Sequence, residues 1–401
     1  MKRNEGHIRT SHGGNLPVPE DLAALVRAEK RDDGAVAARV ASAVQEVVDF
    51  QLDCGLNVVN DGEYVKAGEG AYAGYIHGRV TGWEIQEKAR SPKRGGPGER
   101  DRADFPGFYE SGLWLSGSGG PVRPGFFTPG RKPGKVRTRV CTGPVSYVGH
   151  DAIAKDIEAL QVALKGKEGL DNAPEGFIAA LGPLSLGAGA FNDHYSSEEE
   201  YMMAVAEVVR EEYKAITDAG LIVQVDEPEF FTTWMFYPEW DVADLRKYLG
   251  FAVEVINHSL EGIPVEQVRF HSCWGSGHRP HTHDIELKHI VDLLVRVNAQ
   301  CYTFEASNVR HAHEWRVWED VRLPEGKMIM PGVVGHATDL VEHPELIAER
   351  LVNYASVVGA ENVQGGTDCG IGSRVGHAEV AWAKLRSLAE GAKLASEKLW
   401  R

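Results

Sequence analysis

The sequence predicts a mixed α/β protein: a (βα)8 TIM barrel with one long inserted loop. Three observations carry this. Short apolar runs alternate with helical periodicities almost throughout the chain, which implies a parallel sheet. Many of the runs end in polar clusters, namely Asp61-Gly62-Glu63, Asp226-Glu227-Pro228, His271-Ser272-Cys273, Glu305, His336 and Asp368-Cys369. The C-terminal ends of the strands are where such a barrel gathers its active site. The length, 401 residues, suits one barrel with insertions, so 1–401 is expected to be a single domain.

Taken in order, the strand-like runs are 8–11, 57–61, 136–148, 177–181, 221–226, 267–272, 299–305, 328–334 and 362–367. This is one run more than an eight-stranded barrel needs, and the surplus is expected to be a hairpin arm within 136–148. Residues 38–54 carry a helical pattern stopped by Gly55. Ser197 and Glu200 have capping-box spacing ahead of Met202, Val205, Val209, Tyr213 and Ile216, with Gly220 as the stop. Pro344 opens a helix running to Gly359, and 378–399 closes the chain as a helix. Residues 86–135 break the alternation with Gly/Pro/Arg-rich clusters. This reads as an inserted loop making a surface excursion, while the interleaved Phe105, Phe108, Tyr109, Trp114, Phe126 and Phe127 favour packing on something and give a lid or a dimer contact as the alternative.

A net charge of −15 argues against nucleic acid or an anionic membrane as the main partner. No apolar run reaches the length of a membrane span, and the polar start has no signal-like segment. The five widely spaced cysteines do not form a disulfide framework. They suit a reducing environment, so a cytoplasmic location is expected.

His271 and Cys273 are two apart on a strand and therefore face the same way. Glu305 and Cys369 follow equivalent apolar runs. Together these four offer an N/O/S set suited to zinc (Zn2+). His281 and His283 form a weaker alternative pair, read as histidines of a solvated loop. Glu63 and Asp226 are strand-end carboxylates able to hold an amine or relay a proton, and His336 is placed as a general acid. Zinc with two thiolates and an open position activates a thiol, which points to alkyl transfer onto a small-molecule thiol from a methyl or alkyl donor. Hydrolase, dinucleotide and P-loop fingerprints are missing from the sequence.

These residues, with Gln224-Val225-Asp226-Glu227-Pro228, Phe304-Glu305 and Pro331-Gly332-Val333, resemble the catalytic barrel of cobalamin-independent methionine synthase, in particular its short relatives. The resemblance implies zinc on His271, Cys273, Glu305 and Cys369, with the metal taking the homocysteine thiol. It further implies contacts from Glu63 and Asp226 to the homocysteine amino group, and proton transfer by His336. Epoxyalkane:coenzyme M transferase is similar to this family, and its sulfonate acceptor would need a cation such as Arg9 or Arg374. The chain departs from the pattern in two places. Asn15 stands where the family's substrate-binding serine is expected, and Leu181-Gly182-Pro183 is not followed by the folate-stacking tryptophan. The resemblance therefore supports the thiol half of the reaction more firmly than any particular methyl donor. A structural zinc site and a decarboxylase of the uroporphyrinogen type are the contrasting classes; the first would be closed by four protein ligands and the second needs no thiolates.

Overall fold

The computed structural model describes residues 1–66, 74–86, 98–111, 138–167, 173–275, 279–372 and 374–401. The strands are β1 (Val58–Val59), β2 (Val80–Gln86), β3 (Thr138–Tyr147), β4 (Glu175–Leu181), β5 (Phe191–Asn192), β6 (Ile222–Asp226), β7 (Val268–His271), β8 (Cys301–Glu305), β9 (Met328–Val334) and β10 (Gly366–Thr367). Seven of them form one parallel sheet in the order β1-β4-β6-β7-β8-β9-β10. Residues 9–11 join its two edges. Thr10 bridges Gly365 in parallel, and its carbonyl accepts from the Asn57 and Val58 N–H groups at 3.0 and 3.1 Å. This stretch is the eighth stave and closes the ring.

Every residue of β6, β7, β8 and β9 is buried, as expected for strands covered on both faces. One face packs outward on the helices, as Val223, Val225, Phe270, Tyr302 and Phe304 do. The inner face alternates with it and is polar at mid-height. There the buried Arg269 donates to Ser11 Oγ at 3.0 Å and to the His12 carbonyl at 3.3 Å, and lies 3.9 Å from the centre of the Phe177 ring. The same alternation and register bring functional side chains to one rim: Asp226 pairs with His271, and Glu305 with Gly332.

The surplus run is a hairpin arm as expected. β3 pairs antiparallel with β2, and with β5 they make a separate three-stranded sheet. β2 ends on the first residue of the predicted insertion, whose other described residues, 98–111, hold two short helices, Glu99–Arg102 and Pro106–Glu110. Trp114, Phe126 and Phe127 lie outside the described residues.

The outer helices follow the sequence closely. They include Glu198–Asp218, Pro344–Val358 and Ala378–Leu399, while Asp33–Asp53 starts earlier than expected because Asp32 caps it. Ser197 Oγ does accept from Glu200 N at 3.0 Å, but the Glu200 carboxylate turns to Ser196 instead, leaving the capping box half-made. Among the described residues no helix is long and apolar enough to cross a membrane.

Candidate metal centre and active site

The rim of the barrel collects two groups of potential ligands. His271, Cys273 and Cys369 form one, with ligand atoms within 4.8 Å of each other; Glu305, His336 and Asp368 form the second. Cys273 continues β7 by two residues past His271, and Ser272 N donates to the Thr303 carbonyl at 3.1 Å, which brings Cys273 level with Glu305. Cys369 lies two residues past the end of β10. Close backbone approach is built into this corner: a Cβ on Gly332 would meet Asp368 Cα at 2.3 Å, and one on Gly13 would meet Cys369 Cα at 2.9 Å.

The first group fits a metal by its chemistry. Both ring nitrogens of His271 are buried and lack a hydrogen-bond partner among the described residues. The two thiols face each other and shift in opposite directions. Cys369 is held well below the ordinary thiol range, first by the hydrogen bond from Cys273 and then by His271, whereas Cys273 is pushed well above it by Cys369 and by burial. One buried imidazole and two adjacent sulfurs form a soft donor set suited to zinc.

Glu305 is the member of the expected ligand set that stands in the other group. Its Oε1 accepts from Trp274 N at 2.8 Å and its Oε2 from Asn308 Nδ2 at 2.8 Å. It remains close enough to help raise the Cys273 thiol. His336 is buried with both ring nitrogens unpartnered among the described residues, and its Nδ1 lies 4.0 Å from Asp368 Oδ2. Burial works against its charged form, but Asp368, Cys369 and Glu305 outweigh that and raise its pKa.

A cavity of about 220 Å³ opens on the first group, lined by Asn15, Glu63, Asp226, His271, Cys273 and Cys369 among others. Glu63 reaches it from an unusual backbone. Gly62 and Glu63 are both left-handed, with φ of 68° and 60°, held by Asx turns in which Asn60 Oδ1 accepts from Gly62 N at 2.7 Å and Asp61 Oδ1 from Glu63 N at 2.9 Å. Lys66, buried, stands 3.8 Å from the Glu63 carboxylate. Burial raises Glu63 to about 7 and Asp226 to about 6. Asp226 Oδ1 accepts from Gln224 Nε2 at 2.7 Å. Asn15 lines the cavity from the side, its backbone carbonyl accepting from Ile371 N and Gly372 N at 3.0 Å each.

Some expectations need correction. Arg9 is not at the site; it pairs with Glu175, at the start of β4 and so at the opposite end of the barrel, at 2.9 Å. Arg374 does line the cavity. His281 and His283 do not converge, because each takes its own carboxylate, Asp284 and Asp104, at 2.6 Å. Two residues escaped the sequence reading. Asp368 accepts from Ala306 N and Ser307 N, each at 2.9 Å, and from Ser307 Oγ at 2.5 Å, fixing the turn after Glu305. Glu227 turns away from the cavity to hold the start of the short helix Pro183–Gly187, accepting from Leu184 N at 2.8 Å and Ser185 Oγ at 2.5 Å. Both sit inside motifs that were visible, but a carboxylate's direction is set by the neighbouring backbone and leaves no mark in spacing.

His311 stacks on Trp274, the residue after Cys273, with ring centres 3.6 Å apart. Burial opposes its charge, but hydrogen bonds to Asp284 and Glu314 outweigh this and lift its pKa to about 9 from 6.5. A raised pKa stabilises the fold fully below the ordinary value, and that stabilisation is lost as pH rises through the folded value. Denaturant unfolding at several pH values is expected to show stability falling between roughly pH 6.5 and 9, by up to about 3 kcal/mol. His311→Gln is expected to flatten that slope, and an equal slope in the variant would count against the assignment.

Residues 139–394 match the family model described as "Cobalamin-independent synthase, Catalytic domain". The chain is 25% identical over 225 residues to a methionine synthase of Sulfurisphaera tokodaii, covering 55% of this chain and 57% of that protein. It is 26% identical over 237 residues to 2-hydroxypropyl-CoM lyase of Xanthobacter autotrophicus, covering 52% and 59%. The matched stretch thus spans little more than half the length of these relatives. In fold, the chain is similar to a B12-independent methionine synthase from Shewanella sp. W3-18-1 in complex with selenomethionine, with a TM-score of 0.69 at 21% identity over 98% of this chain and 99% of that one.

Proposed function

Because this chain belongs to the cobalamin-independent synthase catalytic-domain family, we propose that it is a zinc-dependent thiol S-methyltransferase with homocysteine as acceptor. The observation that carries this reading is the cavity itself. Its floor has His271, Cys273 and Cys369 with ligand atoms within 4.8 Å, and its wall has Glu63 and Asp226. The floor suits a soft metal with room for a thiol, and the wall suits an ammonium group on the same molecule.

His271, Cys273 and Cys369 would hold zinc, while Glu305 stands in the neighbouring group with its oxygens accepting from Trp274 N and Asn308 Nδ2. When bound, zinc lowers the pKa of a thiol so that a nucleophilic thiolate exists near neutral pH. Glu63 and Asp226 orient the acceptor through its amino group, and burial makes each charge-assisted contact stronger than it would be in water. Asn15 takes the position next to the acceptor's other end. His336, lifted by Asp368, supplies the proton that the leaving group of the methyl donor needs. Asp368 keeps the Glu305 turn and His336 in register.

The test is a thiol screen against the zinc-loaded protein, followed by trials of methyl donors. Homocysteine is expected to bind, and Glu63→Gln or Asp226→Asn to raise its half-saturating concentration by roughly 10- to 100-fold, the loss of a charged hydrogen bond. Thiols without an amino group are expected to be insensitive to both substitutions. Equal effects on every thiol would contradict the assigned roles.

One observation favours a second reading. Arg374 on the cavity wall suits a sulfonate, so alkylation of coenzyme M by an epoxide is the alternative. In that case Arg374→Met would abolish thiol binding and the carboxylate variants would not.

A further inference from the structure

Residues 98–111 of the insertion are fastened to two loops of the barrel mouth. Arg100 donates to the carbonyls of Trp234, Tyr237 and Trp240 at 2.7, 2.6 and 2.8 Å, and its guanidinium lies 3.3 Å from the centre of the Trp234 ring. Asp101, next in sequence, is 1% exposed. Its Oδ1 accepts from Thr282 Oγ1 at 2.8 Å and from His283 N at 3.1 Å, and its Oδ2 lies 3.6 Å from Arg279 Nη1. Arg279 passes the connection on: its Nη2 donates to the Trp274 carbonyl at 2.8 Å and lies 3.2 Å from Asp284 Oδ1. Asp284 in turn binds His281 and His311, and His311 stacks on the Trp274 ring with an interplanar angle of 15°. Trp274 N donates to Glu305. An unbroken series of contacts therefore runs from a buried carboxylate of the insertion to the residue beside Cys273.

We propose that Asp101 is a positioning residue for the metal centre, so that the insertion works by bracing the Cys273–Trp274 turn. The inference rests on reading His271, Cys273 and Cys369 as ligands. A buried guanidinium is held in place by its carboxylates. Without the Asp101 charge, Arg279 is drawn toward Asp284 alone, the Trp274 carbonyl loses its donor, and the turn that aims Cys273 and presents an N–H to Glu305 loosens. Outer partners of metal ligands act in this way, by fixing ligand orientation.

The test compares Asp101→Asn with Asp104→Asn in the full chain. Asp104 joins the same loop through His283 at 2.6 Å, but both of those side chains are about half exposed, at 54% and 45%. Zinc affinity is measured by chelator competition, and amide hydrogen exchange is measured on metal-free protein. Asp101→Asn is expected to weaken zinc binding by roughly 10- to 100-fold and to speed exchange over residues 272–275 while β8 and β9 stay protected. Asp104→Asn is expected to stay within about threefold of the parent. Unchanged affinity in Asp101→Asn, equal losses in both variants, or faster exchange throughout the barrel would each overturn the proposal. If the parent protein itself bound no zinc, the ligand reading would fall. The exchange at 272–275 would still decide the bracing role: faster exchange in Asp101→Asn upholds it and unchanged exchange overturns it.

Discussion

Cys369→Ser is expected to lose bound metal and transfer activity together. Cys369 is the sulfur whose pKa is held below the ordinary thiol range, through the hydrogen bond from Cys273 and the nearby His271. A serine hydroxyl keeps its proton at neutral pH and is a hard donor, so the substitution removes charge and softness at once. It also leaves the two buried nitrogens of His271 with one fewer neighbour able to share a metal. Zinc affinity should fall by more than the roughly 100-fold seen when only an outer partner of a ligand is removed. Metal content after dialysis, measured beside activity, checks this. Full occupancy in the variant would show the ligand to be misassigned. Cys54→Ser, at a buried cysteine packed away from the rim, is the matched control and should keep its metal.

Gly332→Ala is expected to disrupt the barrel strongly. Gly332 lies in β9, paired with Glu305 on one side and Gly366 on the other. A Cβ there would stand 2.3 Å from Asp368 Cα and 2.4 Å from Asp368 N. These are backbone atoms of a neighbouring stave and have no rotamer into which they can retreat. Overpacking of this kind costs about 3 kcal/mol or more. The displaced residue is the one that fixes the Glu305 turn and precedes Cys369, so metal affinity should fall along with stability. Denaturant unfolding and chelator titration on the same preparation measure both. A variant with parent stability and parent affinity would mean that the strands part at this corner without penalty.

The fold was legible where periodicity and packing agree. The runs 221–226, 267–272 and 328–334 are β6, β7 and β9 almost residue for residue, because strands buried on both faces read as continuous apolar stretches. The run 8–11 has a strand-like pattern, and it is a strand only in part: Thr10 makes a single bridge and closes the ring through a few hydrogen bonds. β2 was missed because Thr81, Glu84 and Gln86 dilute its apolar pattern, and its partner β3 is far along the chain. At the site, period two along β7 was enough to put His271 and Cys273 on one face. The juxtaposition of Glu305 with His336 and Asp368 could not be read, since it depends on which staves neighbour each other and on the direction of a carboxylate. Asp101 was harder still. Nothing in a Gly/Pro/Arg-rich stretch marks one aspartate as buried, and its partners come from 279–283, far along the chain.

X-ray absorption at the zinc edge, recorded on the zinc-loaded protein before and after adding homocysteine or coenzyme M, tests the central claim most directly. Two protein sulfurs are predicted at rest, from Cys273 and Cys369, and one more on addition of homocysteine. A spectrum that stays unchanged with both thiols would contradict the account.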